Sequence, residues 1–320
     1  MLRVYITIDT EYSAGRYKSG SHRELASNYA CSIAGETGTG AFGIDYQMDV
    51  FDLYGLKGVF FVDPMPALVW GVESVRRVVE PIIGRGHDVQ LHIHTEWLEF
   101  AVPNPVGATG HNIKDFSLGE QTELICIGCD LLERAGAPKP VAFRAGNFGS
   151  NDDTLRALAT NGLRYESSFG GSVPHSLCDI DLPAGQLTPV EKFGVIEVPV
   201  SGISDKGGQR RHTQITAISA AEMLGAIRHA RDIGQTSFMI VNHSFEMLSR
   251  DRTKLNRIVR RRFEDICAGI AAMDRVASGT FADSPPLVET VAATLPKFHV
   301  VHYAKRMSEQ LVSNAFYGGA

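Results

Sequence analysis

Gly58-Val59-Phe60-Phe61-Val62 runs for five residues without a polar side chain. A strand with one face in water alternates apolar and polar residues. A continuous short apolar run marks a strand covered on both faces, as in a parallel sheet flanked by helices. Leu2 to Ile8, Val89 to His94, Val141 to Phe143, Leu163 to Tyr165, Val195 to Val200 and Phe238 to Val241 have the same character. Helical periods separate them: Tyr46 to Leu53, Val72 to Ile83, Leu118 to Ala135, Asp153 to Ala159, Ala220 to Ile233 and Lys254 to Met273. Asn151 and Ser219 stand at N-cap positions, and Glu222 gives the second a capping box. Seven strands alternating with helices predict an α/β fold with a parallel sheet, either a barrel or an open doubly wound sheet.

The chain of 320 residues carries 31 Lys+Arg and 36 Asp+Glu, a formal charge of −5. That balance argues against bulk nucleic-acid affinity, which needs a basic surface to displace counterions, though it leaves room for a local basic patch. With 44% hydrophobic and 21% charged residues, the composition is that of a globular protein, not of a disordered one. The first residues lack the roughly 20 apolar positions of a membrane span, since Arg3, Asp9 and Glu11 interrupt them. Five scattered cysteines (Cys31, Cys126, Cys129, Cys178, Cys267) argue against a disulfide framework, so a cytoplasmic location is expected. Cys126 and Cys129 lie on one helical pattern without the second pair a structural zinc requires.

Two stretches interrupt the rhythm. Tyr12 to Ile44 is a long Gly- and Ser-rich loop after the first strand, and Gly170 to Pro189 is an irregular excursion. The first has the length of a lid or binding loop. We expect one domain over residues 1–284 and an extension over 285–320 packed on it.

In parallel α/β folds, residues just past the carboxyl ends of the strands share one face. Here those ends carry Asp9 and Glu11, then His92, His94, Glu96 and Trp97, then Arg144 and Asn147, Glu166, and finally His243. Asp9 and Glu11 are two residues apart, as are His92, His94 and Glu96, so an extended backbone aims each set to one side. One carboxylate with two imidazoles is a three-ligand set for catalytic zinc, and a remaining carboxylate can take a proton from water.

These segments resemble the polysaccharide deacetylase family, the NodB-homology domain of carbohydrate esterase family four. Asp9-Thr10-Glu11 is similar to the family's acid pair with one residue interposed. Gly86-His87-Asp88-Val89-Gln90-Leu91-His92 is similar to the approach to its metal-binding histidine. The resemblance implies Asp9 as catalytic base and Glu11 and His92 as metal ligands. The residue four beyond His92 is Glu96 rather than histidine, so His94 is taken as third ligand with Glu96 the alternative. Phe143-Arg144-Ala145-Gly146 resembles the family's arginine motif without its prolines, and implies that Arg144 holds the base, pairing with it bidentately. Tyr165-Glu166-Ser167-Ser168 approximates the motif built around an acid. Val241-Asn242-His243 resembles the last motif and implies His243 as the acid that protonates the leaving amine. The implied fold is an irregular (β/α)7-type barrel. The implied activity is metal-dependent removal of an N-acetyl or other N-acyl group from a sugar.

The expected cofactor is a divalent metal ion, zinc first. The expected substrate is an intracellular N-acylated sugar, possibly phosphate-linked, used in surface polysaccharide synthesis. Glu96, Trp97, Asn147 and Glu166 are expected to bind it, with Trp97 stacking on a ring and a backbone N–H near Asn147 facing the oxyanion. Arg250, Arg252, Lys254, Arg257, Arg260, Arg261 and Arg262 either meet a phosphate or form a solvated helix face beside Glu264 and Asp265; Lys206, Arg210 and Arg211 carry the same ambiguity. Two alternatives stand against this function: a catalytically silent carbohydrate-binding barrel, and a hydrolase of another C–N bond such as a formamide or ring amide.

Overall fold

The computed structural model describes residues 1–170 and 177–318. Seven parallel strands form one curled sheet in the order Ser237–His243, Leu2–Thr10, Gly58–Val62, Asp88–Ile93, Ala142–Ala145, Tyr165–Glu166 and Val195–Glu197. Val190–Lys192 continues it antiparallel beyond Val195–Glu197. Val276–Ser278 pairs with the start of Leu2–Thr10, on the stretch that Gly58–Val62 leaves unpaired. Among the described residues the sheet's two outer strands do not pair with each other, so it is a half-barrel and not a closed one.

Helices cover the outside at Ile44–Tyr54, Glu73–Gly84, Leu118–Arg134, Asp152–Thr160, Ala220–Asp232 and Arg257–Ala271. Each lies within three residues of its expected bounds. Asn151 does better than the sequence suggests: Thr154 Oγ1 accepts from the Asn151 backbone N–H, so both caps are reciprocal. No described helix is long and apolar enough to cross a membrane.

Strand alternation divides the core. Val4, Ile6, Ile8, Phe60 and Val62 pack outward against the helices, whereas Tyr5, Val59, Phe61 and Met239 face the barrel interior. Phe281, just beyond Val276–Ser278, closes the floor against Tyr5, Phe61 and Tyr165, with ring centroids 5.4 to 5.8 Å apart. Asp88 fixes that turn by accepting from the Phe281 backbone N–H at 2.8 Å.

The Tyr12 to Ile44 stretch is not structureless. It contains helices Ala14–Lys18 and Leu25–Tyr29, a π-turn at Ala30–Ala34 and the small hairpin of Glu36–Thr37 and Gly40–Ala41. Buried Asn28 knits it together through Ser13, His22 and Ser32. Part of the Gly170 to Pro189 excursion lies outside the described residues. The C-terminal helix Val300–Tyr317 docks through Arg306, which binds Asp205 and lies 3.3 Å from Glu222, and through Ser313, which receives a bond from Asn256.

Candidate metal and acid–base site

Above the apolar floor, the same inward face turns polar. Tyr5 is followed by Thr7 and then Asp9, each two residues nearer the rim. Arg144 enters from the Ala142–Ala145 strand and is fully buried. Its guanidinium lies over the Phe61 ring at 4.4 Å. Nη1 donates to Thr7 Oγ1 and Asp9 Oδ1, both at 2.7 Å, and Nε donates to the Ser167 carbonyl at 2.9 Å. The pairing is therefore not bidentate, as the sequence suggested. Thr7 and Ser167 occupy the other donors, and among the described residues no hydrogen bond reaches Asp9 Oδ2.

Glu11, His92 and His94 meet at the rim, their ligand atoms all within 4.8 Å of one another. Glu11 Oε2 lies 3.2 Å from His92 Nε2 and also contacts His94 Nε2. Each imidazole is oriented from behind. His92 Nδ1 donates to the Arg144 carbonyl at 2.7 Å, and His94 Nδ1 lies 3.1 Å from Glu96 Oε2. A proton on each Nδ1 leaves both Nε2 lone pairs aimed at the Glu11 carboxylate, the arrangement seen when histidine binds a metal. Burial alone would raise the Glu11 carboxyl, but His94 and His92 hold it well below the usual range. Burial likewise opposes charge on His94, yet Glu11 and Glu96 raise it well above the ordinary imidazole value. Positive charge among these three groups is thus strongly favoured, and the donor set fits a divalent cation.

Gly146 makes room for this cluster. A Cβ there would stand 2.8 Å from the Ile93 carbonyl oxygen and 2.9 Å from the His94 ring.

His243 ends the strand beside Leu2–Thr10, where it is the register neighbour of Asp9. Its Nδ1 is bonded to Glu246, which also accepts from Thr216 and, at 2.8 Å, from Gln214. Burial would lower the His243 pKa, but Glu246, helped by Asp9 and Glu11, pushes it up to about 9. Among the described residues nothing bonds to Nε2. Asp9, Glu11, His92, His94, His243 and Asn147 together line one cavity of about 300 Å³.

Three expected substrate contacts stand elsewhere. Trp97 has no exposed surface and packs against Trp70, Tyr17 and Phe100, so it belongs to the core and cannot stack on a sugar. Glu166 is also fully buried and accepts from the Ser168 backbone and hydroxyl, away from the cavity lining. Glu96 backs His94 and accepts from Asn147 Nδ2 at 3.2 Å, so it supports the cluster without joining its ligand atoms. Asn147 does line the cavity, in a left-handed conformation with φ 56°.

Sequence reasoning missed Glu246, His111 and Asp63. The partner of His243 is Glu246, three residues on. His111 lines the cavity from a loop with no strand-end signal. Asp63 directly follows the Gly58–Val62 strand, so the strand-end rule could have found it. Its Oδ1 accepts from the Met65 and His94 backbone N–H groups at 3.1 and 3.4 Å. Burial pushes its pKa up to about 7 against the pull of the two histidines.

No protein-family model and no curated protein matches the sequence. Solved structures do match. A protein from Mycobacterium smegmatis assigned as a polysaccharide deacetylase aligns with TM-score 0.58 at 17% identity, over 93% of this chain and 95% of that one. The 4-alpha-glucanotransferase of Thermococcus litoralis aligns with TM-score 0.53 at 9% identity, over 88% of this chain and 40% of that one. A family 4 carbohydrate esterase from Streptomyces lividans aligns at 0.42 and 14% identity, covering 92% and 98%. The chain therefore has the half-barrel fold found in the polysaccharide deacetylase of Mycobacterium smegmatis.

Proposed function

We propose that the protein is a metal-dependent hydrolase that removes an N-acyl group, acetyl foremost, from a sugar. A glucanotransferase shares the fold, so the argument rests on the site and not on the architecture. The observation that carries it is the convergence of Glu11, His92 and His94 on one cavity with Asp9 and His243. The deacetylase assignment of the Mycobacterium smegmatis protein supports the same reading.

Glu11, His92 and His94 would hold a divalent cation, with zinc suited to two imidazoles and a carboxylate; when bound it polarises the acyl carbonyl and makes the attacking water more acidic. Asp9 takes the proton of that water at Oδ2, while Arg144 fixes Oδ1. His243, kept protonated by Glu246, delivers a proton from Nε2 to the leaving nitrogen, which an amine requires because its anion is too poor a leaving group. A backbone N–H near Asn147, which lines the cavity, would donate to the developing oxyanion.

Elemental analysis of the purified protein, followed by assay of acetate and formate release from N-acylated sugars, tests this proposal. One equivalent of zinc and acetate release abolished by His92→Ala are expected. Full metal content in His92→Ala would refute the ligand assignment.

A further inference from the structure

Three of the six arginines in the 250–262 segment have a neighbouring carboxylate. Arg260 lies 3.6 Å from Glu264, Arg261 3.9 Å from Asp265, and Arg262 2.7 Å from Glu309. Arg252 differs. Among the described residues no carboxylate lies within ion-pair distance of it, although its guanidinium is largely shielded from water. It lies 3.4 Å over the face of Phe245, whose ring is stacked on His243 at 5.3 Å. The acid histidine, an aromatic plate and a cation thus form one column at the rim. Nη1 donates to Ser32 Oγ at 2.8 Å, which fixes the guanidinium without neutralising it.

The backbone is built to hold it there. Arg252 has φ 61°, an unfavourable conformation for a residue with a Cβ. Its N–H donates to the Ser249 carbonyl at 2.7 Å, and Asp251 braces the turn through Ser249 and Thr253. Arg16, from the insertion after the first strand, donates to the Asp251 carbonyl at 2.9 Å and also has no carboxylate partner among the described residues. Glu11 attracts the Arg252 charge and Arg16 repels it, so the two cations stand within electrostatic range of each other and of the metal cluster. A shielded, stacked and unneutralised guanidinium presents its remaining donors to an oxyanion in fork geometry.

We propose that Arg252, seconded by Arg16, binds an anionic substituent, carboxylate or phosphate, on the acylated sugar held at the Asp9 and His243 cavity. This names the substrate class of the hydrolase proposed above and rests on that reading. The deciding measurement is binding, so it does not depend on turnover. Isothermal titration calorimetry of the full chain would compare N-acetylglucosamine, N-acetylglucosamine 1-phosphate and N-acetylmuramic acid.

At least one of the two anionic sugars should bind about tenfold or more tightly than the neutral one, and which of them does so identifies the anion. Arg252→Met keeps the stem over Phe245 and should erase the preference. Arg252→Lys should keep part of it, and Arg261→Met all of it. Equal affinities for the three sugars, or a preference that survives in Arg252→Met, would overturn the proposal. Failure of the hydrolase reading shows separately, as no acetate released from any of the three while the binding preference stands.

Discussion

Among the described residues two buried arginine–aspartate pairs occur, and they are satisfied differently. Arg306 grips both oxygens of Asp205, Nη2 to Oδ1 at 2.6 Å and Nη1 to Oδ2 at 3.2 Å. Asp205 also accepts from Arg211 Nε and from the Lys206 backbone, both at 2.8 Å. Arg144 touches only Oδ1 of Asp9 and gives its other donors to Thr7 and Ser167. The first carboxylate has no lone pair to spare and ties the C-terminal helix to the barrel. The second lines a cavity and keeps one oxygen without a hydrogen-bond donor among the described residues. A buried ion pair is therefore read by what its oxygens still lack: saturation marks a strut, and a vacant oxygen marks a reactive group.

Asp9→Asn is the sharpest test of that contrast. Loss of the base should lower acetate release by about 10³-fold or more, while zinc content and the unfolding midpoint stay close to wild type. Unchanged turnover would remove Asp9 from the chemistry. Arg306→Met should do the reverse, leaving the catalytic constants nearly intact at low temperature. Asp205 then lies buried with less compensation, and urea unfolding should show a loss of about 3–5 kcal/mol.

Glu246→Gln removes the charge that holds His243 at about 9. The alkaline limb of the kcat profile should move down towards the ordinary imidazole value, with a smaller effect below neutrality. A limb that stays in place would mean another group donates the proton. The smallest effect concerns acid. Burial opposes ionisation of Asp205, but Arg306, Lys206 and Arg211 bring its pKa from 3.8 down to about 2. A depressed carboxyl contributes stability that is fully present above its unfolded value and lost as pH falls through the folded one. Wild type should therefore lose this contribution between about pH 4 and pH 2, and Asp205→Asn should show a flatter stability profile there.

The fold was legible because double-sided burial leaves a mark in each strand, and Gly58–Val62 begins and ends where its apolar run does. The rim residues were legible through the period of two, which brings Glu11 to His92 and His94. What failed was the direction of Trp97 and of Glu166, which are buried away from the cavity. Trp97 follows a strand and Glu166 ends one, but the 3₁₀ turn Thr95–Glu99 rotates Trp97 into the core, and Glu166 folds back on Ser168. Glu246 escaped because its pairing with His243 depends on a tight turn that carries no residue signature. The arginine segment divided residue by residue, since only the local backbone decides which guanidinium finds a carboxylate.

The Phe281 plug has a kinetic consequence. With Tyr5, Phe61 and Tyr165 packed round it, Phe281 fills the floor below Asp9 among the described residues, which leaves the rim as the way in and out. If the proposed hydrolysis takes place beside Asp9, both fragments leave past the rim of Glu11, His92 and His94, and added acetate should slow turnover.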